Sequence, residues 1–183
     1  LPDDADMKRF ALAEPLAVAM YATQEVGLRV SESVAIIGGG PIGLCCALIA
    51  RNAGASQIVM FEVNPDRAEA IRKDYGFEVL NPTEADAVEK AMKKTGGLGF
   101  QRIYETSGSQ SGFQMITALG RVRAYAVIIG ITNQPASLDT WKMMHEEMRL
   151  TVIRVHQQYA YAAALELVKS HALDRELDQM ITD

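Results

Sequence analysis

At 183 residues the chain is long enough for one domain with a real core. Its 49% hydrophobic and 22% charged residues are ordinary for a globular protein in water. A net charge of −5 with no run of lysine and arginine argues against a nucleic-acid surface, and no apolar stretch reaches the ~20 residues of a membrane span.

Residues 1–13 begin polar and become a short helical stretch, with nothing that starts a domain. Pro15 costs little at the first position of a helix, so Glu14 reads as the cap of a helix running from Pro15 to Gly27. Residues 1–30 are therefore expected to be a leader and linking helix, and 31–183 the main domain.

Residues 34–37, Val-Ala-Ile-Ile, form an apolar run too short for a helix, which suits a strand buried on both faces of a parallel sheet. Gly38, Gly40 and Gly43 follow with G-x-G-x-x-G spacing: the first for a tight turn, the second for close approach of a pyrophosphate, the third for helix against strand. Pro41 suits the first helical turn, and the helix is expected to run to Ala53 and stop at Gly54. Cys45 and Cys46 are neighbours on that helix and point apart, so they read as packing residues. With no secretory signal, a reducing cytoplasm is the expected compartment.

A second strand spans 57–61, and Glu62 follows it directly, nineteen residues beyond Gly43. A dinucleotide fold places an acid there to accept hydrogen bonds from ribose hydroxyls. Further on, the pattern predicts a helix from Pro65 to Tyr75, a strand at 77–80, and a helix over 84–94 capped by Thr83. It then predicts a strand at 102–106, a helix over 110–119 and a strand at 123–130. A helix through Trp141 and Met144, with Met143, Met144 and Met148 as core filling, leads to a strand at 149–155 and a helix over 159–169. One or two helical turns close the chain. His145, His156 and His171 show no metal-ligand spacing and read as structural or solvent-facing.

Strands alternating with helices imply an α/β fold, a Rossmann doubly wound parallel six-stranded sheet in the order 3-2-1-4-5-6. Thr106, Ser107 and Gly108, with Gly130, Ile131 and Thr132, then fall at the carboxyl ends of strands bordering the crevice, where a nicotinamide would lie.

The motifs together resemble the coenzyme domain of the zinc-dependent medium-chain alcohol and polyol dehydrogenases. They are Ala-Glu-Pro-Leu-Ala-Val-Ala at 13–19, Gly-Gly-Gly-Pro-Ile-Gly at 38–43, Glu-Val-Asn-Pro-Asp-Arg at 62–67, Glu-Thr-Ser-Gly at 105–108 and Ile-Ile-Gly-Ile at 128–131. The resemblance implies NAD as cofactor. It implies that Glu62, Val63, Asn64 and Arg67 hold the adenosine side, Pro41 and Ile42 meet the pyrophosphate, and Thr106, Ser107, Gly130 and Ile131 line the nicotinamide. In the polyol branch the acid matching Glu14 approaches a catalytic zinc, so Glu14 is a metal candidate that needs ligands from elsewhere. Where the family has a Pro-Gly-Gly turn before the fifth strand, this chain has Val122, Arg123 and Ala124.

The family's Cys and His-Glu zinc ligands have no counterpart in these residues. No catalytic residue is expected in this chain, which should bind NAD without turnover, while the intact enzyme would take a small alcohol or polyol and carry zinc. The glycine turn followed by Glu62 also suits FAD, and a dinucleotide-sensing module without catalysis is a further reading. A homodimer or tetramer through the strand at 149–155 is expected, because an apolar strand at a sheet edge is a liability when bare. No nucleic-acid or membrane partner is expected.

Overall fold

The computed structural model describes residues 6–181. Its strands are β1 (Ser33–Ile37), β2 (Gln57–Phe61), β3 (Glu78–Leu80), β4 (Phe100–Glu105), β5 (Gly120–Ile128) and β6 (Arg149–Val152). All pair in parallel, in the order β3-β2-β1-β4-β5-β6, so the chain reverses direction across the sheet between β1 and β4. This is the Rossmann doubly wound order the sequence predicts, and the reversal opens a crevice at the carboxyl ends of β1 and β4.

Every residue of β1 is buried. Val34 and Ile36 join one core with α2 (Ala13–Glu25), α3 (Pro41–Asn52) and α8 (Gln158–Lys169), while Ala35 and Ile37 join a second with α6 (Gln110–Leu119). An apolar run without alternation is what burial on both sheet faces requires. The remaining helices are α1 (Met7–Ala11), α4 (Pro65–Ala70), α5 (Ala87–Lys93), α7 (Thr140–His145) and α9 (Asp174–Met180). Arg9 of α1 pairs with Asp174 at 2.7 Å and Asp178 at 2.6 Å on α9, joining two segments far apart in sequence.

Several local expectations are corrected. The helix around Pro15 begins at Ala13 with Leu12 as its cap, so Glu14 lies within the first turn and is not the cap, although its charge still faces the positive helix end. The chain leaves α1 at Leu12 already in helical geometry, which leaves no room for an extended capping residue at Glu14. The helix from Pro65 finishes as one π-helical turn over Ile71–Tyr75, closed by Gly76 at φ 71°. Thr83 caps no helix. It turns onto Asn81, its N–H and hydroxyl donating to Asn81 Oδ1, and α5 starts only at Ala87. Strands β4 and β5 start earlier than expected, and β6 stops at Val152, before Val155 takes φ 62°.

Met148 is buried as expected, but Met144 is 69% exposed and fills no core. Cys45 and Cys46 are free and buried, and burial pushes the Cys45 thiol up to about 12, as a packing residue requires. Residues 1–5, part of the expected leader, and the last two of the chain lie outside the described residues. No helix among those described is long and apolar enough to cross a membrane.

Candidate functional site

The crevice is a groove of about 380 Å³ walled by the ends of β1 and β2, the glycine turn, and the segment from Thr106 to Met115. Gly38, Gly40, Glu62, Val63, Arg67, Thr106 and Ser107 all line it, so the two halves of the predicted site meet.

The glycines divide by what surrounds them. Gly38 has φ 105°, and a Cβ there would lie 2.7 Å from Thr106 Oγ1. A Cβ on Gly43 would run into the carbonyl oxygen of Gly38, so helix-to-strand closeness demands this glycine. Gly40 differs: its φ of −68° suits any residue, and a Cβ there would meet no protein atom within 4 Å. The fold itself gives no reason for glycine at position 40. Gly40 stands at the N-terminus of α3, where Pro41 starts the helix and the free N–H groups of a first turn favour an anion. Gly39, outside the spaced motif, is also constrained, because a Cβ there would lie 2.9 Å from Glu62 Oε2.

Glu62 is buried, with 5% of its surface exposed. Its Oε2 accepts from the Gly39 N–H at 2.9 Å and the Arg67 guanidinium at 3.1 Å, and its Oε1 accepts from the Asn64 N–H at 2.8 Å. Burial pushes the carboxyl up, but these donors together outweigh it and hold the group below the usual carboxylate range. A carboxylate offers about four lone-pair sites, so Oε1 keeps capacity for a hydroxyl donor from the crevice. Because the folded value is depressed, Glu62 stabilises the fold above its unfolded value, and that contribution is lost as pH falls through the folded one. Asn64 caps α4, accepting from the Arg67 N–H at 2.9 Å, and so sets Arg67 beside Glu62.

Across the crevice, the Thr106 hydroxyl donates to the carbonyls of Ile37 at 2.9 Å and Gly38 at 3.1 Å, clamping the glycine turn to the end of β4. Glu105, fully buried, organises this side, and the sequence reading assigned it no role. Its carboxylate accepts from the N–H and hydroxyl of Ser107 and from the Gly108 N–H. Its carbonyl accepts from Ile129 and Gly130. One residue thus ties the 106–108 segment to the loop after β5. Burial raises its carboxyl above the usual range despite those bonds. The available signal was an acid ending an otherwise buried strand, which needs local donors. Gly108 and Gly130 pack so closely that a Cβ on either would strike the other segment, while Ile131 and Thr132 are exposed beside them.

Glu14 lies away from these residues. Its carboxylate is 3.9 Å from His156 Nε2, and the His156 ring stacks on Tyr161 at 5.3 Å. From the sequence His156 reads as structural or solvent-facing, and only the fold brings it to Glu14. No group of three His, Cys, Asp or Glu among the described residues could hold a metal ion. A catalytic zinc takes three protein ligands, so these residues do not by themselves fit one.

A family model described as zinc-binding dehydrogenase matches residues 41–170. The chain is 30% identical to a 2-dehydro-3-deoxy-L-galactonate 5-dehydrogenase of Pseudoalteromonas atlantica, over 95% of this chain and 50% of that protein. It is 31% identical to a sorbitol dehydrogenase of Bacillus subtilis, over 73% of this chain and 38% of that one. The crystal structure of 2R,3R-butanediol dehydrogenase from Bacillus subtilis superposes with a TM-score of 0.85 at 27% identity, covering 96% of this chain and 50% of that chain. The chain thus spans about half the length of the relatives it matches.

Proposed function

The chain belongs to the zinc-binding dehydrogenase family, and from that premise we propose that it supplies the NAD-binding half of an oxidoreductase that moves hydride between a secondary alcohol or polyol and NAD. The observation that carries this reading is Gly40, a glycine the fold does not require, facing a groove with the buried carboxylate of Glu62. In this reading the turn at Gly38, Gly40, Pro41, Ile42 and Gly43 receives the pyrophosphate. Glu62 accepts from the adenosine ribose, with Val63, Asn64 and Arg67 beside the adenosine. Thr106, Ser107, Gly108, Gly130, Ile131 and Thr132 border the nicotinamide. The sorbitol and butanediol dehydrogenases among the similar proteins support a polyol or vicinal diol as the alcohol.

NAD is expected to bind more tightly than NADP, because Glu62 opposes a 2′-phosphate. A like-charge pair at ~4 Å and an effective dielectric of ~20 costs roughly 4 kcal/mol. Arg67, ion-paired to Glu62, offsets part of this. If about a third survives, the preference is about tenfold. Calorimetric titration with both oxidised cofactors measures it, and equal or tighter NADP binding overturns the role of Glu62. A yellow purified protein would instead favour a flavin.

When bound, zinc would polarise the alcohol oxygen as a Lewis acid. Glu14 is the one candidate ligand here by resemblance, and the others would have to come from outside these residues. These 183 residues are proposed to bind cofactor without turnover, and stoichiometric zinc by elemental analysis with chelator-sensitive NAD reduction would overturn that. We also propose twofold pairing through β6, which lies at the sheet edge with Val152 69% exposed. The Ile153 N–H bonds back to Ile128, so by alternation the Val152 N–H points outward. Val152→Pro should therefore weaken self-association and spare the fold, and a monomeric wild type at ~10 μM in light scattering would rule out this edge.

A further inference from the structure

A larger groove, about 700 Å³, lies at the opposite end of the strands from the crevice. It is lined by Arg29, Arg102, Arg121, Arg123 and Arg149, against Glu32 and Glu147. No run of basic residues announces it, since these arginines come from the segment before β1 and from the amino ends of β4, β5 and β6.

Two of the arginines are committed. Arg102 pairs with Glu32 at 2.8 Å and also donates to the Gly27 carbonyl at 3.1 Å. Arg123 pairs with Glu147 at 2.7 Å. The other three, Arg29, Arg121 and Arg149, make no side-chain hydrogen bond or ion pair among the described residues. The groove thus holds five arginines against two glutamates, a local excess of positive charge on a chain whose net charge is −5.

Register sets the spacing. Arg102 pairs with Tyr125, and Tyr125 with Arg149, so the two arginines flank a tyrosine on adjacent strands. Two strand spacings place their backbones about 10 Å apart, so Arg149 stands one strand beyond Tyr125 and clear of the pair that Arg102 makes with Glu32. Arg123 and Glu147 add a second observation: both are held at positive φ, 61° and 50°, and the Arg123 N–H bonds the Glu146 carbonyl at 2.7 Å. Non-glycine residues seldom adopt that backbone, and here it sets Arg123 and Glu147 side by side at the rim of the groove.

We propose that this groove is a second anion site, distinct from the dinucleotide crevice, that takes a small molecule bearing two or more linked phosphates. Guanidinium groups meet phosphate oxygens through paired N–H donors, and three without partners are available here.

The test is calorimetry on the full-length protein with inorganic tripolyphosphate, at low and at moderate salt. Saturable binding is expected, weakening with salt as charged contacts do. The double variant Arg121→Gln/Arg149→Gln should lower affinity by at least about tenfold, the size of one lost charge-assisted contact. Its circular dichroism should be unchanged, because neither side chain has a partner to lose. Arg29→Gln, on a separate segment, should weaken binding in the same direction. Gly40→Asp, which places a carboxylate in the crevice at the other end of the sheet, should remove only tripolyphosphate held at the glycine turn and leave the arginine-dependent binding in place. The proposal is overturned by no binding at ~1 mM, by binding that loss of the arginines leaves unweakened, or by binding that disappears altogether in Gly40→Asp. Binding of poly-glutamate without tripolyphosphate would equally overturn it, since the groove would then read an acidic protein surface.

Discussion

Gly40→Asp is expected to lower NAD affinity by about a hundredfold or more while the melting temperature stays level or rises. Position 40 is the N-cap of α3 with extended backbone and open space around a Cβ, so aspartate fits without strain. Aspartate is among the best N-cap residues, and its charge faces the positive helix end, so the fold loses nothing. A pyrophosphate seated there would meet a carboxylate in place of backbone N–H groups. At ~4 Å and an effective dielectric of ~20 that costs roughly 4 kcal/mol, about a thousandfold, and half of it is still ~30-fold before the steric loss. Calorimetry and thermal melting of the same preparation give both readouts. Unchanged affinity would show that the cofactor does not cross this turn, and a large fall in melting temperature would show that Gly40 has a structural role.

Gly43→Ala is expected to act the other way, on the fold first. Its Cβ would overlap the carbonyl oxygen of Gly38 and lie 2.8 Å from Thr106 Oγ1, and neither can retreat easily. The Gly38 carbonyl accepts from that same Thr106 hydroxyl, so moving it loosens the clamp between the glycine turn and β4. Overpacking of this kind costs about 1–3 kcal/mol, more against backbone. For a chain of this size each kcal/mol is worth ~2–4 °C, so a drop approaching 10 °C is expected. A melting temperature within 2 °C of wild type would mean that α3 slides away from β1 at little cost, and the third glycine of the motif would need another explanation.

The pair separates two reasons for glycine that look the same in a sequence. Spacing identifies Gly38, Gly40 and Gly43 together, and only the surroundings show that two serve the protein's own packing while the third faces open groove. Gly39, which the spacing passes over, is held by its contact with Glu62.

By itself the sequence determined the sheet, its strand order, the glycine turn, the acid at the end of β2 and the edge position of β6. These rest on short-range patterns: apolar runs of strand length, helices between them long enough for parallel crossovers, and glycines where backbone must turn or approach. The start of α2 was misread because Glu14 and Pro15 make a good local cap, while the backbone leaving α1 had already turned helical at Leu12. Only the tertiary structure decided what depends on residues distant in the chain. It brought His156 to Glu14, made Glu105 the tie between two loops, and gathered five scattered arginines at the foot of the sheet. Local periodicity reports which face of an element is buried. Which side chains meet across the sheet is set by strand order and register, and these bring residues 102, 125 and 149 side by side although nothing near any of them in sequence points to the others.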